Sequence, residues 1–261
     1  MAENTTKPVI LIIPGSFSHA SHYYVLTDKL KELGYQTFVN ALPSTSRDDP
    51  EEPVSLQEDA VFFRGIIEKL ADRGHDVVVL MHSYGGQVGS EAVKDVGKEE
   101  RQKAGKKGGV VKLIYLTAAV LEVGSSMKSE SGDPPPGLVE ISETGYMRIV
   151  GVELVAKAAF SDVEFHRAVD IVRTMPKHSS LSFAGELTYP GYKYIPASYI
   201  FCENDYLVVP DAQRKYIDRI KAATGKEVDV HTLSTGHAPN LSAPDKLAEV
   251  VVGIITGTAS A

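Results

Sequence analysis

Short apolar runs separated by turn formers set the rhythm of this chain. Val9–Ile13 is wholly apolar and ends abruptly in Pro14-Gly15-Ser16-Phe17. Comparable runs occupy 76–80, 110–116 and 197–201, with weaker ones at 35–41 and 227–233. Runs of this length, rich in β-branched residues, read as strands, and the uniformly apolar ones as strands buried on both faces. Between them the period changes to that of a helix. Residues 22–33 form one, stopped by Gly34. Ser55 caps a long amphipathic helix that runs to about Arg73 and stops at Gly74, with Glu58 spaced to close a capping box. Further helices are predicted over 86–93, 210–223 and 244–255. About six strands alternating with helices predict an α/β fold: a mostly parallel sheet with helices on both sides.

The rhythm breaks between 124 and 190. That stretch opens with the loop Gly132-Asp133-Pro134-Pro135-Pro136-Gly137, turns helical around 153–175, and ends in an aromatic piece holding Tyr189, Tyr192 and Tyr194. It is too long for a simple connection between two strands. The expectation is a core built from 1–123 and 191–261, with 124–190 inserted as a mainly helical cap. Such a cap supplies a substrate pocket, and Phe17, Tyr189 and Tyr192 are its candidate walls.

The chemistry gathers just past the strands. After 76–80 comes Met81-His82-Ser83-Tyr84-Gly85-Gly86, a sharp strand-to-helix turn with a serine at its apex, the setting of a nucleophile elbow. A serine hydroxyl needs a base to take its proton and an acid to orient that base. Asp205 follows the strand at 197–201, and His237 follows the last strand, in the chain order Ser, Asp, His. Glu122, past the strand at 110–116, is an alternative acid; Glu203 reads as solvated. An oxyanion would need backbone donors: Tyr84, next after the serine, and Ser16 in the first loop, with Phe17 second. Pro14 has no N–H to offer.

Composition narrows the field. The 261 residues are 43% hydrophobic and carry a net charge of −7, which argues against nucleic acid as the main partner. The lysine-rich stretch from Lys94 to Lys112 is interleaved with Asp95, Glu99 and Glu100, and reads as a solvated helix end and loop. Cys202 is the only cysteine, so neither an intrachain disulfide nor a thiolate zinc cluster can form. Residues 1–7 are polar, and no apolar run reaches membrane-spanning length, so the expectation is a cytoplasmic protein without a membrane partner. His19 and His22 lack a third ligand nearby in sequence, and His82 reads as packing beneath the elbow. No phosphate-binding loop follows a strand; the expectation is no metal and no cofactor.

Taken together, these motifs resemble the α/β-hydrolase superfamily over essentially the whole chain, above all its small members such as plant methylesterases and hydroxynitrile lyases. The matching pieces are Pro14-Gly15-Ser16, the elbow at 81–86 and Gly236-His237, together with Cys202-Glu203-Asn204-Asp205 and the run at 108–113, which look like uncharacterised fungal and bacterial hydrolases. Met81 stands where the family has the elbow's first glycine, and Pro14 where it often has histidine. The resemblance implies an α/β-hydrolase fold and a cofactor-free serine esterase or lactonase, with a small-molecule ester or lactone as substrate and a monomer or homodimer as the working unit. The same triad also supports carbon–carbon cleavage, cyclisation, hydroxynitrile lysis or ligand reception with weak turnover. Lysis calls for a lysine near the late loops, and none lies between Lys193 and Lys215 or between Lys226 and Lys246.

Overall fold

The computed structural model describes residues 7–258. Its centre is a parallel sheet of six strands in the order β2-β1-β3-β4-β8-β9. These are β1 (Val9–Ile13), β2 (Thr37–Val39), β3 (Asp76–His82), β4 (Gly109–Leu116), β8 (Ala197–Cys202) and β9 (Asp229–Leu233). The chain leaves β1 outward to β2 and then returns to the other side of β1 as β3. Loops past β1 and β3 therefore diverge, opening a crevice at the carboxyl ends of the strands where open α/β sheets bind ligands.

Unbroken apolar strands are explained by two cores. Leu11, Ile13, Val77, Val79 and Met81 face one side, packed against α2 (Leu56–Asp72), α3 (Gly85–Ala92) and α9 (Pro210–Thr224). Ile10, Ile12, Val78 and Leu80 face the other, against α1 (Tyr24–Glu32) and α11 (Pro244–Thr256). Each such side chain contributes about 1.5–3 kcal/mol when fully buried. The capping box forms at Ser55 and Glu58. β2 is shorter than its sequence run, because Tyr35 turns into the second core before the strand begins. The lysine-rich stretch contains a short helix, α4 (Lys98–Lys103). Arg101 within it is not solvated: its Nε donates to the Gly108 carbonyl at 2.7 Å, and its guanidinium pairs with Asp72.

Between β4 and β8 the inserted segment carries more than helices. After α5 (Met127–Ser131), strands β5 (Val139–Ile141), β6 (Tyr146–Ile149) and β7 (His178–Ser179) form a small antiparallel sheet. The helical period divides into α6 (Val152–Ala159) and α7 (Phe165–Arg173), and α8 (Ser180–Ala184) follows β7. Val155, Phe160, Val169 and Val172 make a third core that Ala238 of the main body joins. The last helix is preceded by a single turn, α10 (Pro239–Ser242). Among the described residues no helix is long and apolar enough to cross a membrane.

One carboxylate lies inside the core beside α3. Asp59 of α2 is fully buried and accepts hydrogen bonds from the Ser44 N–H (2.9 Å), the Ser44 hydroxyl (2.6 Å) and the Tyr84 hydroxyl (3.0 Å). Burial pushes its pKa up to about 6 despite those donors. The unfolded value is 3.8, so between these values the folded protein holds the extra proton. The contribution to stability is therefore complete below pH 4 and is lost as pH rises through about 6.

Two measurements test this packing. Urea unfolding of wild type and Asp59→Asn between pH 4 and 7 is expected to show the wild type losing on the order of 2–3 kcal/mol more than the variant; identical slopes would contradict it. At Gly86 an added Cβ would lie 2.3 Å from the Ala119 carbonyl oxygen, whereas at Gly65, inside α2, nothing lies within 4 Å. Gly86→Ala is expected to cost about 1–3 kcal/mol, and Gly65→Ala to stabilise by roughly 0.5–1 kcal/mol, read as opposite shifts in Tm.

Candidate active site

The turn after β3 is held open by close backbone packing. Ser83 has φ 53°, in the left-handed region that costs a non-glycine residue about 1 kcal/mol or more. Its carbonyl accepts from the Gly86 and Ala119 N–H groups (both 3.0 Å), and its own N–H donates to the Leu116 carbonyl. A Cβ on Gly85 would stand 2.6 Å from the Ile13 carbonyl oxygen, so α3 can start here only on glycine. Met81 fits because the next turn of the helix gives way: a Cβ on Gly89 would meet the Met81 sulfur at 2.2 Å. The missing elbow glycine is thus compensated from the helix side.

His237 reaches the same place from the loop after β9. Its Nδ1 lies 2.7 Å from Asp205 Oδ2. Asp205 is fully buried, and it also accepts from the Thr117 hydroxyl (2.5 Å) and from the Leu207 and Val208 N–H groups (2.7 and 2.9 Å). Burial works against its charge, but the neighbouring His237 and these donors outweigh it and hold the carboxyl below its ordinary range. With Nδ1–H committed to Asp205, Nε2 is the nitrogen left to act as a base. Ser83 and His237 line one cavity, and among the described residues no hydrogen bond joins them. Such bonds commonly tighten only with substrate. Glu122 lies elsewhere, exposed and 3.6 Å from Arg219; Glu203 is also exposed, accepting from Ser234.

His82 ties the pieces together beneath the elbow. A backbone carbonyl can only accept, so Nε2 of His82 donates to His237 O (2.7 Å). Nδ1 then accepts from the Tyr23 hydroxyl (2.7 Å), whose oxygen accepts from the Gly15 N–H (2.9 Å). Burial lowers the His82 pKa to about 3, so this tautomer stays neutral. The inserted segment secures the His237 loop from above: Asp162 accepts from the Gly236 N–H at 2.8 Å. Gly236 has room for this contact only without a Cβ, which would lie 2.5 Å from the Ser161 hydroxyl.

The cavity measures about 60 Å³. Gly15, Ser16, Phe17 and Ser18 form one wall, and Ile149, Val155, Ala159, Phe160 and Met175 of the inserted segment form the wall opposite. No Asp, Glu, Lys or Arg lines it, and burial together with His19 lowers the pKa of His22 to about 4, leaving it neutral. Tyr84 begins the turn into α3, so its amide follows Ser83 directly. Two of the three expected pocket residues do not line this cavity. Tyr192 is in the main core, its hydroxyl bonded to the Leu121 carbonyl at 2.8 Å, and Tyr189 stacks on Tyr194 at 5.0 Å. Their aromatic content signalled packing, whereas the walls come from apolar residues of β6 and α6 and of the turns just after α6 and α7, which carry no motif. Thr117 carries no motif of its own; its place just past β4 is the signal the sequence holds for it. Among the described residues no three His, Cys, Asp or Glu side chains converge as a metal site would require.

A hydroxyl on a strained turn, an imidazole and a buried carboxylate can serve as nucleophile, base and orienting acid. Residues 10–250 match the sequence profile described as the alpha/beta hydrolase family. The chain is 37% identical over 246 residues to Probable hydrolase R7 of a Phoma species, covering 94% of this chain and 97% of that one. It is 29% identical to Alpha/beta hydrolase nvfD of Aspergillus novofumigatus, over 94% and 95% of the two chains. Among solved structures, a pyrethroid hydrolase from Sphingobium faniae JZ-2 aligns with a TM-score of 0.72 at 20% identity, over 96% and 98% of the chains. Polyneuridine aldehyde esterase aligns at 0.73 and 16% identity, over 95% and 99%. At those identities the two structures speak to the fold alone, but the profile match spans nearly the whole sequence: the chain belongs to the alpha/beta hydrolase family.

Proposed function

We propose that this protein is a serine hydrolase that cleaves a neutral small or medium ester or lactone through an acyl-enzyme. The observation that carries the reading is the sharing of one cavity by Ser83, at the apex of a strained turn, and His237, whose far nitrogen is held by buried Asp205. In the first half-reaction His237 Nε2 takes the Ser83 proton as Oγ adds to the substrate carbonyl. The Ser16 and Tyr84 amides receive the oxyanion, each donor being worth about 3–4 kcal/mol in such sites. Collapse breaks the ester C–O bond, and the proton passes from His237 to the leaving alkoxide. Water then adds to the acyl-enzyme by the same proton route, releasing the acid and restoring Ser83.

The inserted segment acts as a cap in this reading, and its apolar wall argues for a neutral substrate. An ionised group brought into the cavity would meet no opposite charge, a penalty of several kcal/mol.

Ser83→Ala is expected to lower kcat by at least about 10⁴-fold on an ester and lactone panel, with circular dichroism unchanged and product masses in the wild type gaining one water. Undiminished hydrolysis in the variant would overturn the assignment; a product without added water would indicate another reaction. In the same panel, an acyl chain ending in a carboxylate is expected to lower kcat/KM at least about 100-fold against its methyl-terminated counterpart; equal values would remove the argument for a neutral substrate.

A further inference from the structure

Besides His82 and His237, an imidazole of the inserted segment reaches the catalytic loops. His178, on β7 of the inserted segment, is fully buried. Its Nδ1 faces the N–H of Phe17 at 3.3 Å, across 161 positions of sequence. Its other nitrogen lies 2.8 Å from the Ser182 hydroxyl oxygen. That hydroxyl donates its single proton to the Ser179 carbonyl, so toward His178 it can only accept. Nε2 therefore carries the imidazole hydrogen, and Nδ1 presents the lone pair that the Phe17 N–H requires.

The loop being held is strained. Phe17 has φ 53°, a conformation a bulky side chain abandons unless its surroundings insist on it. The Phe17 ring packs against His178 with centroids 5.3 Å apart, and Tyr84 and Phe183 lie nearly perpendicular to the same imidazole with centroids at 4.9 and 5.1 Å. One side chain of the inserted segment thus touches both the loop that carries Ser16 and the residue whose amide is the other oxyanion donor. Because the Phe17 N–H is taken by His178, Ser16 rather than Phe17 is this loop's candidate oxyanion donor.

We propose that His178 is a positioning residue: by accepting from the Phe17 N–H it holds the strained Ser16–Phe17 peptide so that the Ser16 amide serves the oxyanion. The proposal rests on the serine-hydrolase reading above. Burial keeps His178 neutral, lowering its pKa to about 3, so the accepting lone pair persists around neutral pH. Without the acceptor the part-buried Phe17 N–H loses its partner, and the loop gains by leaving the left-handed conformation.

Two substitutions separate this role from simple packing. His178→Phe keeps an aromatic ring and removes the acceptor; His178→Asn keeps an acceptor near the Nδ1 position and removes the ring. The measurements are kcat and KM on an ester that the wild type turns over, and the rate at which a fluorophosphonate modifies Ser83. In that modification Oγ displaces fluoride and its proton goes to His237, while the phosphoryl oxygen loads the same two amides. His178→Phe is expected to lower both kcat and the modification rate about 10- to 100-fold, somewhat less than deleting an oxyanion donor outright, and His178→Asn to stay within about 5-fold of wild type. KM is expected to change less than about 3-fold in either variant, since the donor acts on the transition state. Should His178→Phe fail to fold, His178→Leu, which also lacks an acceptor, takes its place in the comparison. Wild-type rates in the variant without an acceptor, or a smaller loss in Phe than in Asn, would overturn the proposal while leaving the hydrolase reading intact. Modification of Ser83→Ala as fast as wild type would overturn the hydrolase reading and this proposal with it.

Discussion

Everything at the site depends on bringing three backbones together at Ser83. The serine adopts a left-handed conformation, its carbonyl is held by Gly86 and Ala119, and α3 starts against the Ile13 carbonyl on one side and the Ala119 carbonyl on the other because residues 85 and 86 have no side chain. That contact sets the level of the loop after β1 and of the loop after β4, which supplies Thr117 to Asp205. Removing the close approach would shift several groups at once. This is why the motif is recognisable from small residues rather than from the serine alone.

The inserted segment is part of the same arrangement. Asp162 holds the loop of His237 through the Gly236 amide, and His178 reaches the loop of Ser16. Lys177, beside His178, pairs with Asp48 and Asp49, and the Tyr146 hydroxyl donates to the Glu51 carbonyl, fastening the small sheet to the main body. A lid joined only by apolar contacts could slide. Directional hydrogen bonds to peptide groups instead fix its register against the catalytic loops.

Several ionisable groups are buried here, and each is either neutral or well partnered. His82 and His178 remain neutral and use one nitrogen to donate and the other to accept. Asp205 keeps its charge because four donors face it. Asp59 is the intermediate case, partnered by hydroxyl and amide donors but by no cation, so burial raises its pKa. The difference is the one expected when desolvation competes with neighbouring charge.

The architecture was legible in the amino-acid order. Apolar runs, their turn formers, the Ser55 capping box and the glycines behind Ser83 act over a few residues, so periodicity and local sterics suffice to read them. The succession of Ser83, Asp205 and His237, each just past a strand, was visible for the same reason. Other features had no local signal. Asp205 rather than Glu122 faces His237 because β8 lies between β4 and β9 and aims its loop inward, whereas Glu122 turns out to Arg219. Ile149, Val155, Phe160 and Met175 line the cavity, while Tyr189 and Tyr192 pack elsewhere, because aromatic content does not reveal which face an inserted segment turns toward the sheet. His178 meets Phe17 across 161 positions of chain. Contacts at that separation are decided by how whole layers pack, and only the tertiary structure sets that.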